Sequence, residues 1–123
     1  MTNTLTVNQL IEQLNKTPID FNLVIQAIEN NYEFIPTEFK NGTTVNAANT
    51  NNGSCKIFAF GLLNRLSPQA TLHAFGDFYT QDVLLHPNNT DHQNIRTFMQ
   101  LGWSGIEFMS AALTPKVFNK ALI

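Results

Sequence analysis

Cysteine is almost missing from this chain: Cys55 is the only one in 123 residues. No internal disulfide can form, so the fold does not depend on an oxidising compartment. Charge is scarce too. Asp, Glu, Lys and Arg make up 13% of the residues, and the net charge is −2. With a pI near 5.8, the chain lacks the basic footprint of a nucleic-acid binder, and no nucleic-acid partner is expected. There is no long apolar run and mean hydropathy is −0.11, so no membrane-spanning helix is expected. The opening residues, Met1 to Thr6, have neither a basic region nor an apolar core and do not form a Sec-type signal peptide. The cytoplasm is the default location.

Chemical signatures are equally sparse. There is no glycine-rich phosphate loop and no Gly-x-Ser-x-Gly elbow. His73, His86 and His92 are scattered, without His-x-x-x-His or Cys-x-x-Cys spacing. No metal and no cofactor are therefore expected.

What is present is a globular composition: 43% hydrophobic residues and 10 phenylalanines. The length suits one domain spanning residues 1–123. Asn is frequent, so much of the surface is polar without being charged.

The pattern predicts about five helices and a small antiparallel hairpin or sheet, an α+β fold that is mostly helical. Thr6-Val7-Asn8-Gln9 reads as a capping box ahead of Val7, Leu10, Ile11 and Leu14 on one helical face. Asp20 caps a second helix with a stripe of Phe21, Val24, Ile25, Ile28 and Tyr32. Thr37–Lys40, Asn41-Gly42 and Thr43–Val45 read as a hairpin with a type I′ turn. Asn52 or Ser54 caps a third helix, apolar nearly all round from Ile57 to Leu66 and hence central. Ser67-Pro68 starts the next helix, with a break allowed at Gly76. Thr90-x-x-Gln93 reads as a second capping box. It opens a helix that buries Ile95, Phe98 and Met99 and ends at Gly102 in a left-handed conformation. Ile106 and Phe108 flank Glu107 as a short strand able to join the hairpin. Residues 114–123 are weakly patterned and read as a frayed tail. The Phe residues at 58, 60, 75, 78 and 98 read as core.

Several clusters stand together in order: Tyr32-Glu33-Phe34-Ile35-Pro36-Thr37 with Phe39, Asn41-Gly42, and Gly53-Ser54-Cys55-Lys56-Ile57-Phe58. Phe75-Gly76 and Tyr79 with Asp82-Val83 follow. The last is Asp91-His92-Gln93-Asn94-Ile95-Arg96 with Phe98 and Gly102-Trp103. This combination resembles the HopJ type III effector family over about residues 7–113. The resemblance implies a bacterial protein, resident in the cytoplasm or delivered into a host cell by a type III system. The Thr- and Asn-rich first residues are compatible with such export. No settled activity comes with the family.

Two blocks carry the candidate site. Cys55 falls near the first turn of the central helix, where the dipole stabilises a thiolate, and Lys56 adds a cation. His92 could act as base toward Cys55, with Asp91 or Asn94 orienting the ring. Cys55, His92 and Asn94 are thus the catalytic candidates of a small thiol-dependent hydrolase or acyltransferase. Against this, a free cysteine is most often a small buried hydrophobe. The binding candidates are Ser54, Lys56, Asp91, Arg96 and Trp103. Arg96 could hold a carboxylate or phosphate, or pair structurally with Asp77, Asp82 or Glu107. Capping accounts for Thr90, Asp91 and Gln93, which leaves His92, Asn94 and Arg96 to carry any function. The preferred reading is a non-enzymatic module that binds a host or bacterial protein or a small ligand.

Overall fold

The computed structural model describes residues 5–116. Its elements are α1 (Val7–Leu14), α2 (Phe21–Asn31), β1 (Tyr32–Phe34), β2 (Phe39–Asn41), β3 (Thr44–Asn46), α3 (Asn52–Leu63) and α4 (Pro68–His73). A π-helical segment (Phe78–Val83), α5 (Gln93–Leu101), a 3-10 turn (Gly102–Gly105), β4 (Ile106–Phe108) and β5 (Leu113–Pro115) complete it. The fold is α+β and mostly helical, with two antiparallel sheets ordered β1-β5 and β3-β2-β4.

Local chemistry starts three of the helices as their sequences predict. Thr6 Oγ1 accepts from Gln9 N, and Gln9 Oε1 accepts from Thr6 N. Asp20 accepts from the N–H groups of Asn22 and Leu23. Ser67 Oγ accepts from Ala70 N, with Pro68 in the first helical position. The other two helices differ. The N-cap of α3 is Asn51, and no side chain caps it. Asn51 Nδ2 instead donates to Asn46 Oδ1 at 2.7 Å. The N-cap of α5 is His92, left-handed at φ 53 and ψ 48, also without a side-chain cap. The Thr90–Gln93 capping box does not form. Gln93 Nε2 reaches back to the Thr90 carbonyl at 2.7 Å and satisfies an acceptor there.

The hairpin pairs Asn41 with Thr44, so the turn residues are Gly42 and Thr43. Positive φ occurs at Gly42 but not at Thr43. That fits a type II′ turn, one residue later than the Asn-Gly reading. β4 joins β2, with Phe39 opposite Phe108. β5 pairs with β1, Tyr32 opposite Pro115. Thr114 and Pro115 thus belong to a strand rather than to a frayed tail; the tail beyond Lys116 lies outside the described residues. Pro115, at the end of a two-stranded sheet, removes no central ladder bond.

The core centres on α3. Phe58 is fully buried, and its ring lies 5.0 Å from Phe98, 5.6 Å from Phe75 and 5.9 Å from Phe39. Each such ring contributes about 1.5–3 kcal/mol by burial. Four residues expected inside are exposed: Phe78 at 39%, Leu62 at 43%, Met99 at 44% and Leu63 at 52%. Helix α4 ends before Gly76, whose φ is +56. A Cβ at Gly76 would stand 2.7 Å from the Ile19 carbonyl oxygen and 2.9 Å from Phe21 N. The start of α2 therefore packs backbone to backbone on this break. The chain resumes as the π-helical segment that carries Phe78, Tyr79 and Asp82.

Candidate functional site

The starts of α3 and α5 flank one open cleft of about 420 Å³. From α3 and the residue before it come Asn51, Gly53 and Ser54; from α5 and its cap come His92, Gln93, Asn94 and Ile95. β3 adds Thr44 and Asn46, and Phe21, Phe75 and Phe78 complete the lining. Both sequence blocks therefore meet in space, though not through the residues first expected.

Cys55 is 2% exposed and is not part of the cleft lining. Its Sγ donates to the Thr37 carbonyl at 3.5 Å. Burial pushes the thiol pKa above its ordinary value, and the nearby Lys56 charge only opposes this. The argument for a thiolate fails because desolvation outweighs both the Thr37 backbone hydrogen bond and the Lys56 charge. Nor does His92 serve as its base: His92 Nε2 lies 3.0 Å from Asp82 Oδ2 and 4.0 Å from Asp91 Oδ2. The Cys55–His92–Asn94 catalytic arrangement is replaced by three separate roles.

Asn94 is part of an asparagine network. Asn94 Nδ2 donates to Asn46 Oδ1 at 2.9 Å, and Asn46 Nδ2 returns a bond to Asn94 Oδ1 at 3.2 Å. Asn41 Nδ2 donates to Asn94 Oδ1 and to the Asn94 carbonyl. Together with Asn51 this ties β2, β3, the approach to α3 and α5 into one wall. Asn41 Oδ1 is buried without a partner among the described residues.

Arg96 is a clamp. Its Nη2 donates to Asp91 Oδ1 and its Nε to the Asp91 carbonyl, each at 2.6 Å. Longer bonds of 3.4 Å reach the Pro87 and Asp82 carbonyls. The guanidinium hydrogen bond holds the Asp91 carboxyl below the usual carboxylate range. Arg96 is paired with Asp91, from its own block, and not with the carboxylates of Asp77, Asp82 or Glu107. Lys56 is engaged too, with Glu29 Oε2 at 2.8 Å and the Phe34 ring at 4.8 Å. Trp103 Nε1 donates to the Leu66 carbonyl at 2.8 Å while its ring packs on Phe58 and Phe98. Lys56, Asp91, Arg96 and Trp103 are absent from the cleft lining.

Of the predicted site residues, Ser54, His92 and Asn94 line the cleft. The sequence reading missed Phe21, Phe78, Thr44, Asn46 and Asn51. Phe78 announces itself only through its place just after the Gly76 break, where helical spacing stops being informative. The asparagines looked like loop surface.

Among the described residues, the Ser54 and Thr44 hydroxyls have no protein hydrogen-bond partner. None of the lining side chains is Asp, Glu, Lys or Arg. No three His, Cys, Asp or Glu side chains among the described residues lie close enough to hold a metal. No helix among the described residues is long and apolar enough to cross a membrane.

Fold and site define a small α+β domain with a polar cleft, lined without Asp, Glu, Lys or Arg, between two helix starts. The chain belongs to the HopJ type III effector protein family, whose pattern matches residues 7–113. A solved crystal structure, of the unknown function protein VPA0580, is similar: 53% identical, TM-score 0.87, covering 94% of this chain and 100% of that one. No curated protein matches the chain.

Proposed function

We propose that this chain is a non-enzymatic binding module that takes a small polar ligand into the cleft between α3 and α5. The carrying observation is the cleft itself. Its volume of about 420 Å³ falls in the range of about 300–1,000 Å³ usual for small-molecule sites. It offers two unpartnered hydroxyls beside helix starts that no side chain caps. Backbone N–H groups at such starts suit a ligand acceptor. The left-handed His92 on its rim supports the same reading, since strained backbone is retained where surrounding structure enforces it and clusters at ligand sites. Ser54 and His92 both line the cleft, but His92 Nε2 is engaged by Asp82 and not by the Ser54 hydroxyl, and Cys55 is buried beside Thr37.

The test is amide-resolved NMR of the labelled protein with neutral amides, lactams and ureas as probes. Shifts should cluster at Gly53, Ser54, Gln93 and Asn94 and weaken in Ser54→Ala. Shifts gathered instead on the apolar groove by Leu62, Leu63 and Leu113 would replace this reading with a protein-docking one.

The family's description motivates a proposal at the level of the cell: delivery through a type III system into a host, where the bound partner resides. An epitope-tagged chain should appear in the medium of a type III-competent strain and not of its secretion-deficient mutant. Equal amounts in both media would leave the chain a resident bacterial protein.

A further inference from the structure

The cleft has two unlike walls, and the difference specifies a ligand class. One wall is aromatic. Phe78 is 39% exposed, and its ring lies 5.0 Å from Phe21 at 71° and 5.2 Å from His92 at 43°. Phe75 lies behind, buried. Gly53 sits flush on this wall: a Cβ there would stand 2.8 Å from the Phe21 ring. The other wall is neutral and polar, formed by Thr44, Ser54 and the Asn46–Asn94 amides.

Phe78 packs on Phe21 and His92 yet keeps part of its apolar ring surface in water at the cleft. Phe78 is also the first residue of the π-helical segment, an irregularity that recurs at functional sites. A ring face beside hydroxyl and amide groups suits a flat ligand that stacks on one side and hydrogen-bonds at its edge. No Asp, Glu, Lys or Arg is among the lining residues, and the Nε2 of the one lining histidine, His92, is already engaged by Asp82 at 3.0 Å, so the cleft favours a neutral ligand over a phosphate or an ammonium group.

Resting on the small-ligand reading above, we infer that the cleft binds a neutral heteroaromatic molecule carrying a carbonyl or amide edge. The ring stacks on Phe78 and His92, and the polar edge faces Ser54 and Thr44.

The experiment compares matched probes by the same NMR mapping. Nicotinamide, uracil and hypoxanthine form the aromatic arm; cyclohexanecarboxamide and dihydrouracil form the saturated arm; inorganic phosphate is the charged control. The aromatic arm should shift the Gly53, Ser54, Phe78 and Asn94 amides and bind about tenfold more tightly than the saturated arm. Phe78→Leu, which keeps apolar bulk and lacks the ring, should abolish that preference while its unfolding temperature stays near the parent's. Equal binding of both arms overturns the aromatic class and leaves the small-ligand reading standing. Tighter phosphate binding overturns it in favour of an anion. Absence of any cleft shift with every probe overturns both readings.

Discussion

Asn46 and Asn94 exchange two hydrogen bonds, each amide donating to the other's oxygen at 2.9 and 3.2 Å. This reciprocal pair joins β3 to the first turn of α5. Replacing Asn94 by Ala removes both of its bonds to the buried Asn46 amide, while Asn41 Nδ2 keeps the backbone carbonyl of residue 94, at a cost of about 1–3 kcal/mol. Urea denaturation should read this as a lower midpoint. Asn94→Asp keeps the acceptor but sets a second oxygen against Asn46 Oδ1. Its deficit should shrink as pH falls and the introduced carboxyl gains a proton to donate.

Cys55 should behave as a core residue. In the native protein it should resist a thiol reagent that labels it fully after unfolding. The raised folded pKa sets a sign for stability. The contribution is complete below the unfolded thiol value of 9.0 and declines as pH rises through the folded value. Cys55→Ala should lessen that alkaline decline, measured as the slope of unfolding free energy against pH. Rapid labelling of the native protein would restore the reactive-thiol reading.

Asp91 works in the opposite direction. Its folded pKa lies below the ordinary 3.8, chiefly through the Arg96 hydrogen bond. The stabilisation is present above 3.8 and is lost as pH falls through the folded value. Asp91→Asn should flatten the acid limb of the stability curve. Arg96→Lys should not restore the parent behaviour, because a lysine cannot reproduce the fork that reaches Asp91 twice and the carbonyls of Pro87 and Asp82. Unfolding free energy against pH checks the first, and carboxyl chemical-shift titration of Asp91 in Arg96→Lys checks the second.

Gly76→Ala should be among the most damaging single changes. Positive φ disfavours any Cβ, and here the added carbon meets backbone of Ile19 and Phe21 that cannot swing aside. A loss of about 2 kcal/mol or more follows, seen as a lower thermal midpoint.

These residues also mark where the sequence was readable. Helices α1, α2 and α4 were legible because Thr6, Asp20 and Ser67 cap through neighbours three residues away or fewer. The start of α5 was not, because it is fixed by Asp82 beneath His92 and by the Arg96 clamp over residues 87–91. β4 showed its alternation, whereas β5 has only Leu113 turned inward. For the cleft, Ser54, His92 and Asn94 stood out by type. Asn46 and Asn51 did not, since an asparagine in a loop and one in a buried network look alike until the tertiary partner is known. Helical spacing places Phe78 in the core, and the π-helical segment breaks that spacing.

The pairing of β1 with β5 joins residue 32 to residue 115, and Lys116 N continues it to the Asn31 carbonyl. A ribosome makes β1 early and its partner more than eighty residues later. Throughout that interval the end of α2 has no sheet to close on, and α3 lacks the Leu113 side of its packing. Helices α1 to α4 can therefore assemble during translation, but the finished domain cannot lock until nearly all described residues have left the exit tunnel. Completion of the fold is timed by the arrival of Leu113–Pro115.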